Sequence, residues 1–416
     1  MTDTLSAALT PDVDPPEAGL DPARLARLDA HFQRYVDDGR LAGWQLAVSR
    51  GGRLAHVAAA GHRDRESGAP VTDDTIWRIY SMTKPITSVA ALMLWEEGRF
   101  ELRDPVSRFL PEFAEQRVWR AGSVTTPFFD PVVEPMQMWH LLTHTSGLTY
   151  GFMHAHPVDE MYRRAGFEWG VPRDVDLAGI CERVAQLPLL FQPGSEWNYS
   201  FAIDVLGRVI EVLTGQTLDE VLRSRIFQPL RMVDTGFSVP PDAADRVAML
   251  YGAHPATSAA TRLEAGAKGA FHPPAAFLGG GGLVSTTGDY LRFAEMLRRG
   301  GELDGVRLLS SRTVRYATSN HLPGNADLSA FGRPLHSETA FDGVGFGPIG
   351  SVTIDPVKAK VPGSVGDFGW GGAASTTFWV DPVEDLVVTF MTQLLPSNTH
   401  PIRSQLKQLV HQALVD

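Results

Sequence analysis

Apolar positions recur every three or four residues in some stretches of this chain and alternate or cluster in others, and the two rhythms separate helices from strands. Asp21 and Pro22 supply an N-cap and a first helical residue. Leu25, Leu28, Phe32 and Val36 then fall on one face, and Gly39 stands past the end. Two strands are predicted next, Trp44 to Ser49 and Leu54 to Ala60, joined through Arg50-Gly51-Gly52-Arg53 as an antiparallel hairpin. Thr75 to Tyr80 reads as a short strand. The residues after Pro85 (Ile86, Val89, Ala90, Leu92, Met93) are apolar nearly all round, as in a buried helix that runs to Gly98. The middle of the chain is helical in period over Val133 to Thr143, Leu177 to Leu187, Phe201 to Leu213, Thr217 to Phe227 and Asp289 to Arg299. Thr217-Leu218-Asp219-Glu220 fits a capping box, and Gly215 ends the helix before it. Val344 to Ile354, Ala374 to Val380 and Leu386 to Thr392 are rich in β-branched and aromatic residues, with Asp381-Pro382 as the turn between the last two. Ile402, Leu406, Leu409, Val410 and Leu414 mark one face of a C-terminal helix.

Strands near both ends with helices between them imply an α/β protein of the α+β type: an antiparallel β-sheet flanked by N- and C-terminal helices, plus an inserted, mostly helical domain. The expected division is an extended leader over 1–20, a sheet domain from 21–115 and 280–416, and a helical domain over 116–279. The groove between the two domains is the natural pocket. A length of 416 residues fits two such domains. Net charge is −11, with 37 basic against 48 acidic residues, and the arginines are scattered rather than gathered into a stripe, which argues against a nucleic-acid partner. No apolar run approaches the roughly 20 residues that cross a bilayer, so no membrane partner is expected. The N-terminal segment carries Asp3 where a secretory signal carries lysine or arginine, and Cys181 is the one cysteine, so a reducing, cytoplasmic location is expected.

Ser81-Met82-Thr83-Lys84 opens the predicted buried helix and places a hydroxyl and an amine on one helical face. Serine is a poor nucleophile without a neighbouring base, and lysine becomes a base where burial lowers its pKa. The pattern is loose. Ser404-Gln405-Leu406-Lys407 matches it equally well, on a helix whose apolar spacing points both polar residues to water. A second signal is Gln192 to Ser200, a turn-rich loop that delivers Tyr199 ahead of a helix. Its phenol could pass a proton to a leaving group if a cationic lysine lowers its pKa, although a tyrosine bonded to backbone fits the sequence too. The third is Phe368-Gly369-Trp370-Gly371-Gly372-Ala373 at the entry to a strand. Its glycines let backbone approach a ligand, and its N–H groups with that of Ser81 could form an oxyanion hole; a β-bulge with a packing tryptophan is the other reading.

Together these segments resemble the class C serine β-lactamases, the penicillin-binding proteins and, above all, the related family VIII carboxylesterases. Ser81 to Lys84 matches the S-x-x-K motif, Tyr199-Ser200-Phe201 the tyrosine-containing motif, and Trp370-Gly371-Gly372 stands where β-lactamases have K-T-G. His140 to Leu148 and Gly279 to Thr286 look like further segments of these proteins, in the same order. The resemblance implies a class C β-lactamase-like fold in which Ser81 is acylated, Lys84 is its base, Tyr199 assists proton transfer, and the backbone N–H groups of Ser81 and Ala373 hold the oxyanion. Phe201 replaces the asparagine of the second motif and Trp370 the lysine of the third. Both changes remove polar groups that would engage a β-lactam and leave an apolar wall suited to a neutral ester. The expected substrate-binding residues are therefore Trp370, Gly371, Gly372, Tyr150 and Phe201.

The expected function is hydrolysis of a small-molecule, short-chain carboxylic ester through a Ser81 acyl-enzyme, with no metal and no organic cofactor. The alternatives are a β-lactamase or D-amino-acid peptidase, an acyltransferase, and a noncatalytic scaffold of the same fold. His140 and His144 have the i, i+4 spacing of a zinc pair, but Leu141 stands where H-E-x-x-H needs glutamate. Gly279 to Gly282 lacks the lysine of a phosphate loop and reads as a turn before a strand, and no G-x-S-x-G nucleophile elbow occurs. Oligomeric state is not set by any of these features.

Overall fold

A computed structural model describes residues 9–168, 170–172, 174–264, 268–333 and 336–415. Helix α1 (Pro22–Asp37) is capped by Asp21, whose carboxylate accepts from the N–H groups of Ala23 and Arg24. Strands β1 (Gly43–Arg50), β2 (Arg53–Asp64) and β3 (Ala69–Pro70) follow. Five more strands come from the far end of the chain: β4 (Val344–Gly347), β5 (Gly350–Thr353), β6 (Phe368–Gly371), β7 (Thr377–Asp381) and β8 (Leu386–Thr392). They form one eight-stranded sheet in the order β4-β5-β6-β7-β8-β1-β2-β3, and every pairing in it is antiparallel. The seam between the two ends is β1 against β8, with Trp44 opposite Thr392 and Arg50 opposite Leu386.

Both faces of the central strands are buried, and all seven residues of Leu386–Thr392 are buried, with Thr389 and Thr392 interrupting the apolar run. Leu46, Val48, Trp379 and Phe390 meet Phe32 of α1 and Leu406 and Val410 of the C-terminal helix on one side. Ala47, Phe378, Val387 and Met391 meet Tyr290 and Phe293 of the helix Thr287–Arg298 and the helix Thr83–Glu96 on the other. Residues 138–214 supply the helices Met138–Leu142, Leu177–Ala185 and Ala202–Thr214. The last packs against Thr83–Glu96 and so fixes the second motif beside the first. Among the described residues no helix is long and apolar enough to cross a membrane.

Several expectations are corrected. The extended leader is instead packed over residues 9–20: Leu9 is buried, Asp12 N–H donates to Leu54 O, Pro15–Ala18 form a 3-10 turn, and Leu20 bridges to Leu414. Residues 1–8 of that segment lie outside the described residues. The helix expected over Val133–Thr143 begins only at Met138, after Pro135, and a hairpin of Arg117–Ser123 with Thr126–Pro131 stands in the region read as mostly helical. Val344–Ile354 is two strands that reverse between Gly347 and Gly350. The strand expected from Ala374 starts at Thr377, because residues 372–376 turn, with Ser375 left-handed at φ 70°. Thr75–Tyr80 keeps only Trp77–Arg78 as strand, and Thr217–Phe227 becomes a short α-helix followed by a π turn.

Strand β6 sits between β5 and β7, and Gly369 pairs with Ser351 on one side and Trp379 on the other. A Cβ at Gly369 would lie 2.2 Å from Phe378 O. Gly369→Ala is expected to cost about 1–3 kcal/mol, the usual range for overpacking, and an unchanged urea or thermal unfolding midpoint would show that the backbone here is not so tightly held.

Candidate active site

The segment before Ser81 is tied down from two sides. Trp77–Arg78 pairs with Val284–Ser285, and the Gln393 side chain accepts from Arg78 N–H and donates to Arg78 O. Tyr80 then takes a left-handed conformation, φ 45°, which a bulky residue holds only where its surroundings impose it. This sharp reversal puts Ser81 at the head of Thr83–Glu96. There Tyr290 Oη donates to Met82 O, and Thr83 Oγ1 accepts from Leu283 N–H.

Lys84 Nζ donates to Ser81 Oγ at 3.3 Å and to Gly280 O at 2.6 Å. The lysine is only 4% exposed, and among the described residues its amine pairs with hydroxyl and carbonyl oxygens rather than with a carboxylate. Burial lowers its pKa from the usual lysine value to about 8, against the opposing charges of Asp204 and Glu338. Asp204 reaches it indirectly, since its Oδ1 accepts from Gly280 N–H at 2.8 Å while Gly280 O accepts a hydrogen bond from the lysine. Only glycine fits at 280, where a Cβ would lie 2.4 Å from Asp204 Oδ2.

Tyr199 is 2% exposed, and the lysine Nζ lies 4.5 Å from its ring centroid. Its hydroxyl lies beside Ser81 and the Trp370 indole without completing a hydrogen bond to either. Burial pushes this phenol well above its ordinary pKa, with Glu338 adding to the rise. The lowered phenol considered from the sequence is thus corrected: the ammonium faces the ring rather than the oxygen and does not offset burial, so Tyr199 stays protonated and can donate. Trp370 stands edge-on to Tyr199 at 5.5 Å and to Phe346 at 5.2 Å. Tyr150 packs against Tyr199 at 5.4 Å, with Nζ 5.5 Å from its ring. Phe201 lies behind Tyr150, clustered with Tyr162 and Phe167.

The end of β6 abuts the Ser81 turn. A Cβ at Gly372 would come 2.4 Å from Ile79 O, and one at Gly371 would strike the Arg403 guanidinium. Arg403 Nη2 donates to Gly372 O at 3.1 Å and Thr376 O at 3.3 Å, clamping the turn that carries Ala373. Its counter-ion is Glu338, buried, bonded also by Ser397 Oγ and held at a pKa of about 2 by Arg403 and His336 despite burial. Among the described residues neither Ser81 nor Ala373 spends its backbone N–H on another protein group.

The first motif, Tyr199 and the Trp370-Gly371-Gly372 strand therefore meet at one place, with Tyr150 beside them. The competing Ser404 and Lys407 do not form a pair: Ser404 Oγ donates to Pro401 O, and Lys407 turns from water to bind Asp367 Oδ1 at 2.7 Å, correcting the expectation that both face solvent. His140 and His144 serve separately, His140 Nδ1 accepting from Gln137 N–H and His144 Nδ1 meeting Ser200 Oγ. Sequence reasoning missed Asp204, Glu338 and Arg403, and it noted Gly280 only within the Gly279 to Gly282 turn, without its contact to Lys84. Asp204 carried a signal, as a lone carboxylate on the apolar face of a helix; Glu338 and Arg403 are brought in by the fold.

The family description Beta-lactamase matches residues 28–412, and the chain belongs to that family. Protein Rv1367c of Mycobacterium tuberculosis is 38% identical over 88% of this chain and 89% of its own length. Esterase EstB of Burkholderia gladioli is 35% identical over 91% of this chain and 93% of its own. Among solved structures, EstCE1, described as a hydrolase with promiscuous acyltransferase activity, superposes with a TM-score of 0.80 at 28% identity, covering 95% of this chain and 99% of its own.

Because Lys84 loses its proton near pH 8, the rate at which a fluorophosphonate labels Ser81 is expected to climb through that pH. Asp204→Asn removes a charge that favours the ammonium and should move the midpoint lower, with the labelling rate read across pH 6 to 10 as the check.

Proposed function

We propose that this protein hydrolyses short-chain carboxylic esters through an acyl-enzyme on Ser81. The observation that carries the reading is the buried Lys84 amine, 3.3 Å from Ser81 Oγ and, among the described residues, without a carboxylate partner, beside a tyrosine that burial keeps protonated. Neutral Lys84 takes the Ser81 proton as Oγ attacks the ester carbonyl, and the N–H groups of Ser81 and Ala373 receive the oxyanion. Tyr199 gives its proton to the departing alkoxide, and the Lys84 ammonium resupplies it once the amine turns from the ring face to the phenolate oxygen. Water then enters, loses a proton along the same route, and releases the acid. Trp370 forms an apolar wall at the position where a lysine would attract a carboxylate, which favours a neutral ester over a β-lactam, and the similarity to esterase EstB runs the same way. An alcohol that reached the acyl-enzyme before water would be acylated, the activity named for the structural relative EstCE1. We place the reaction in a reducing, cytoplasmic setting on the strength of the lone, buried Cys181 thiol.

Turnover of p-nitrophenyl acetate and butyrate is expected to exceed that of nitrocefin in the wild-type protein. Ser81→Ala should abolish it, and Tyr199→Phe should lower it by about 10²–10⁴-fold, the usual worth of a positioned proton donor. Ester turnover that survives Ser81→Ala removes the nucleophile assignment, and faster nitrocefin turnover reverses the substrate preference.

A further inference from the structure

A small cavity of about 10 Å³ is lined by Lys84, Ser88, His144 and Trp370 together with apolar side chains including Leu142 and Phe346. Ser88 and His144 are each 1% exposed, and Ser88 Oγ and His144 Nε2 have no hydrogen-bond partner among the described residues. Buried polar atoms are ordinarily satisfied by protein or by water. A space of this size with two to four polar partners is what one buried water occupies.

His144 Nδ1 and Ser200 Oγ lie 3.1 Å apart, and Ser200 Oγ also accepts from Ala202 N–H at 3.4 Å. Nδ1 is the one ring nitrogen with a partner among the described residues, and we assign the Ser200 proton to it, which puts the proton of a neutral imidazole on Nε2. Burial and the Lys84 charge both keep this ring neutral. Edge-on contacts with Tyr199 at 5.1 Å and Phe346 at 5.5 Å fix its plane.

We propose that His144 is a positioning residue for Lys84: its Nε2–H and Ser88 Oγ hold one water in this cavity, and that water accepts a Lys84 N–H. A neutral amine has two N–H groups and one lone pair. With one N–H on Gly280 O and the other on the water, the lone pair is left facing Ser81. Ser88 lies one helical turn beyond Lys84, on the same face, so it reaches the cavity from below while His144 closes it from the Thr143–Leu148 loop. The inference rests on the reading of Ser81 and Lys84 as nucleophile and base.

The other groups that bear on the lysine are Asp204 from the helix 202–214, Glu338 from the segment before β4, and the phenols of Tyr199 and Tyr150. Among the described residues Asp204 and Glu338 make no hydrogen bond to His144 or Ser88, and His144→Phe keeps an aromatic ring edge-on to Tyr199. The test is the pH dependence of fluorophosphonate labelling of Ser81 in the wild type, His144→Phe, His144→Gln and Ser88→Ala, with a high-resolution crystal structure of the wild type. A density peak for one water in the cavity is expected. His144→Phe should lower the plateau rate about tenfold or more, as a misdirected catalytic group does. It should also move the midpoint down by about half a pH unit or more, since one N–H of the ammonium loses its acceptor. His144→Gln, whose amide nitrogen reaches the Nε2 position, should recover most of the rate, and Ser88→Ala should shift the midpoint in the same direction by less. A purely packing role would lower the melting temperature with the midpoint fixed, so an unchanged or raised midpoint in His144→Phe overturns the proposal, as does a dry cavity. If His144→Phe does not fold, His144→Gln and Ser88→Ala decide by the same midpoint criterion. Wild-type protein that resists labelling at every pH would overturn the nucleophile assignment instead, and the crystal structure would still decide the water.

Discussion

An amine held out of water with no carboxylate against it is costly for a folded chain to keep, and the surroundings of Lys84 are arranged around that cost. The charge is not cancelled by contact. It is tempered by a carbonyl at 2.6 Å, by two aromatic faces, and by Asp204 acting through the Gly280 peptide. Direct pairing with Asp204 would pin the proton on the amine. Complete isolation would drive the proton off but leave nothing to stabilise the ammonium once it forms. The intervening peptide gives an intermediate strength, and it demands glycine at 280 and a helix that delivers a carboxylate from its first turn.

The same burial decides what the neighbouring groups can be. Tyr199 in a dry, partly anionic setting remains a phenol, and in the proposed mechanism this divides the labour between lysine as base and tyrosine as donor. Glu338 lies close enough to influence both, yet its charge is committed to Arg403, and Arg403 in turn holds the turn that carries Ala373. One ion pair thus shapes the turn after β6 while damping its own field. The aromatic rings of Tyr150, Tyr199, Trp370 and Phe346 then present carbon where a charged substrate group would need a partner.

The elements that carry the chemistry were legible because their signals are local. An all-round apolar helix after Ser81, a turn-rich loop that delivers Tyr199 to a helix and a glycine pair after Trp370 each declare themselves within ten residues. The errors share a cause, namely turns that periodicity does not register. Pro135 delays a helix, Gly347 to Gly350 splits a strand, and the left-handed Ser375 postpones another. Lys407 was misread for a related reason, since Asp367, its partner, is remote in sequence and brought to it only by the sheet. Glu338 and Arg403 lay beyond reach on the same ground. Nothing in the order of residues says that a glutamate at 338 and an arginine at 403 will share one buried oxygen.

The seam between β1 and β8 has a consequence for how this enzyme comes into being. Residues 43–50 can pair with residues 386–392 only after nearly the whole chain exists, and contacts of such long sequence separation are slow to close. The strand that abuts the Ser81 turn, Phe368–Gly371, belongs to that late half. The first two motifs can gather as the chain lengthens, but the third arrives with the closing of the sheet. A partly made or C-terminally shortened chain would therefore display its serine without the backbone that completes the groove, so that appearance of activity reports on the last step of folding.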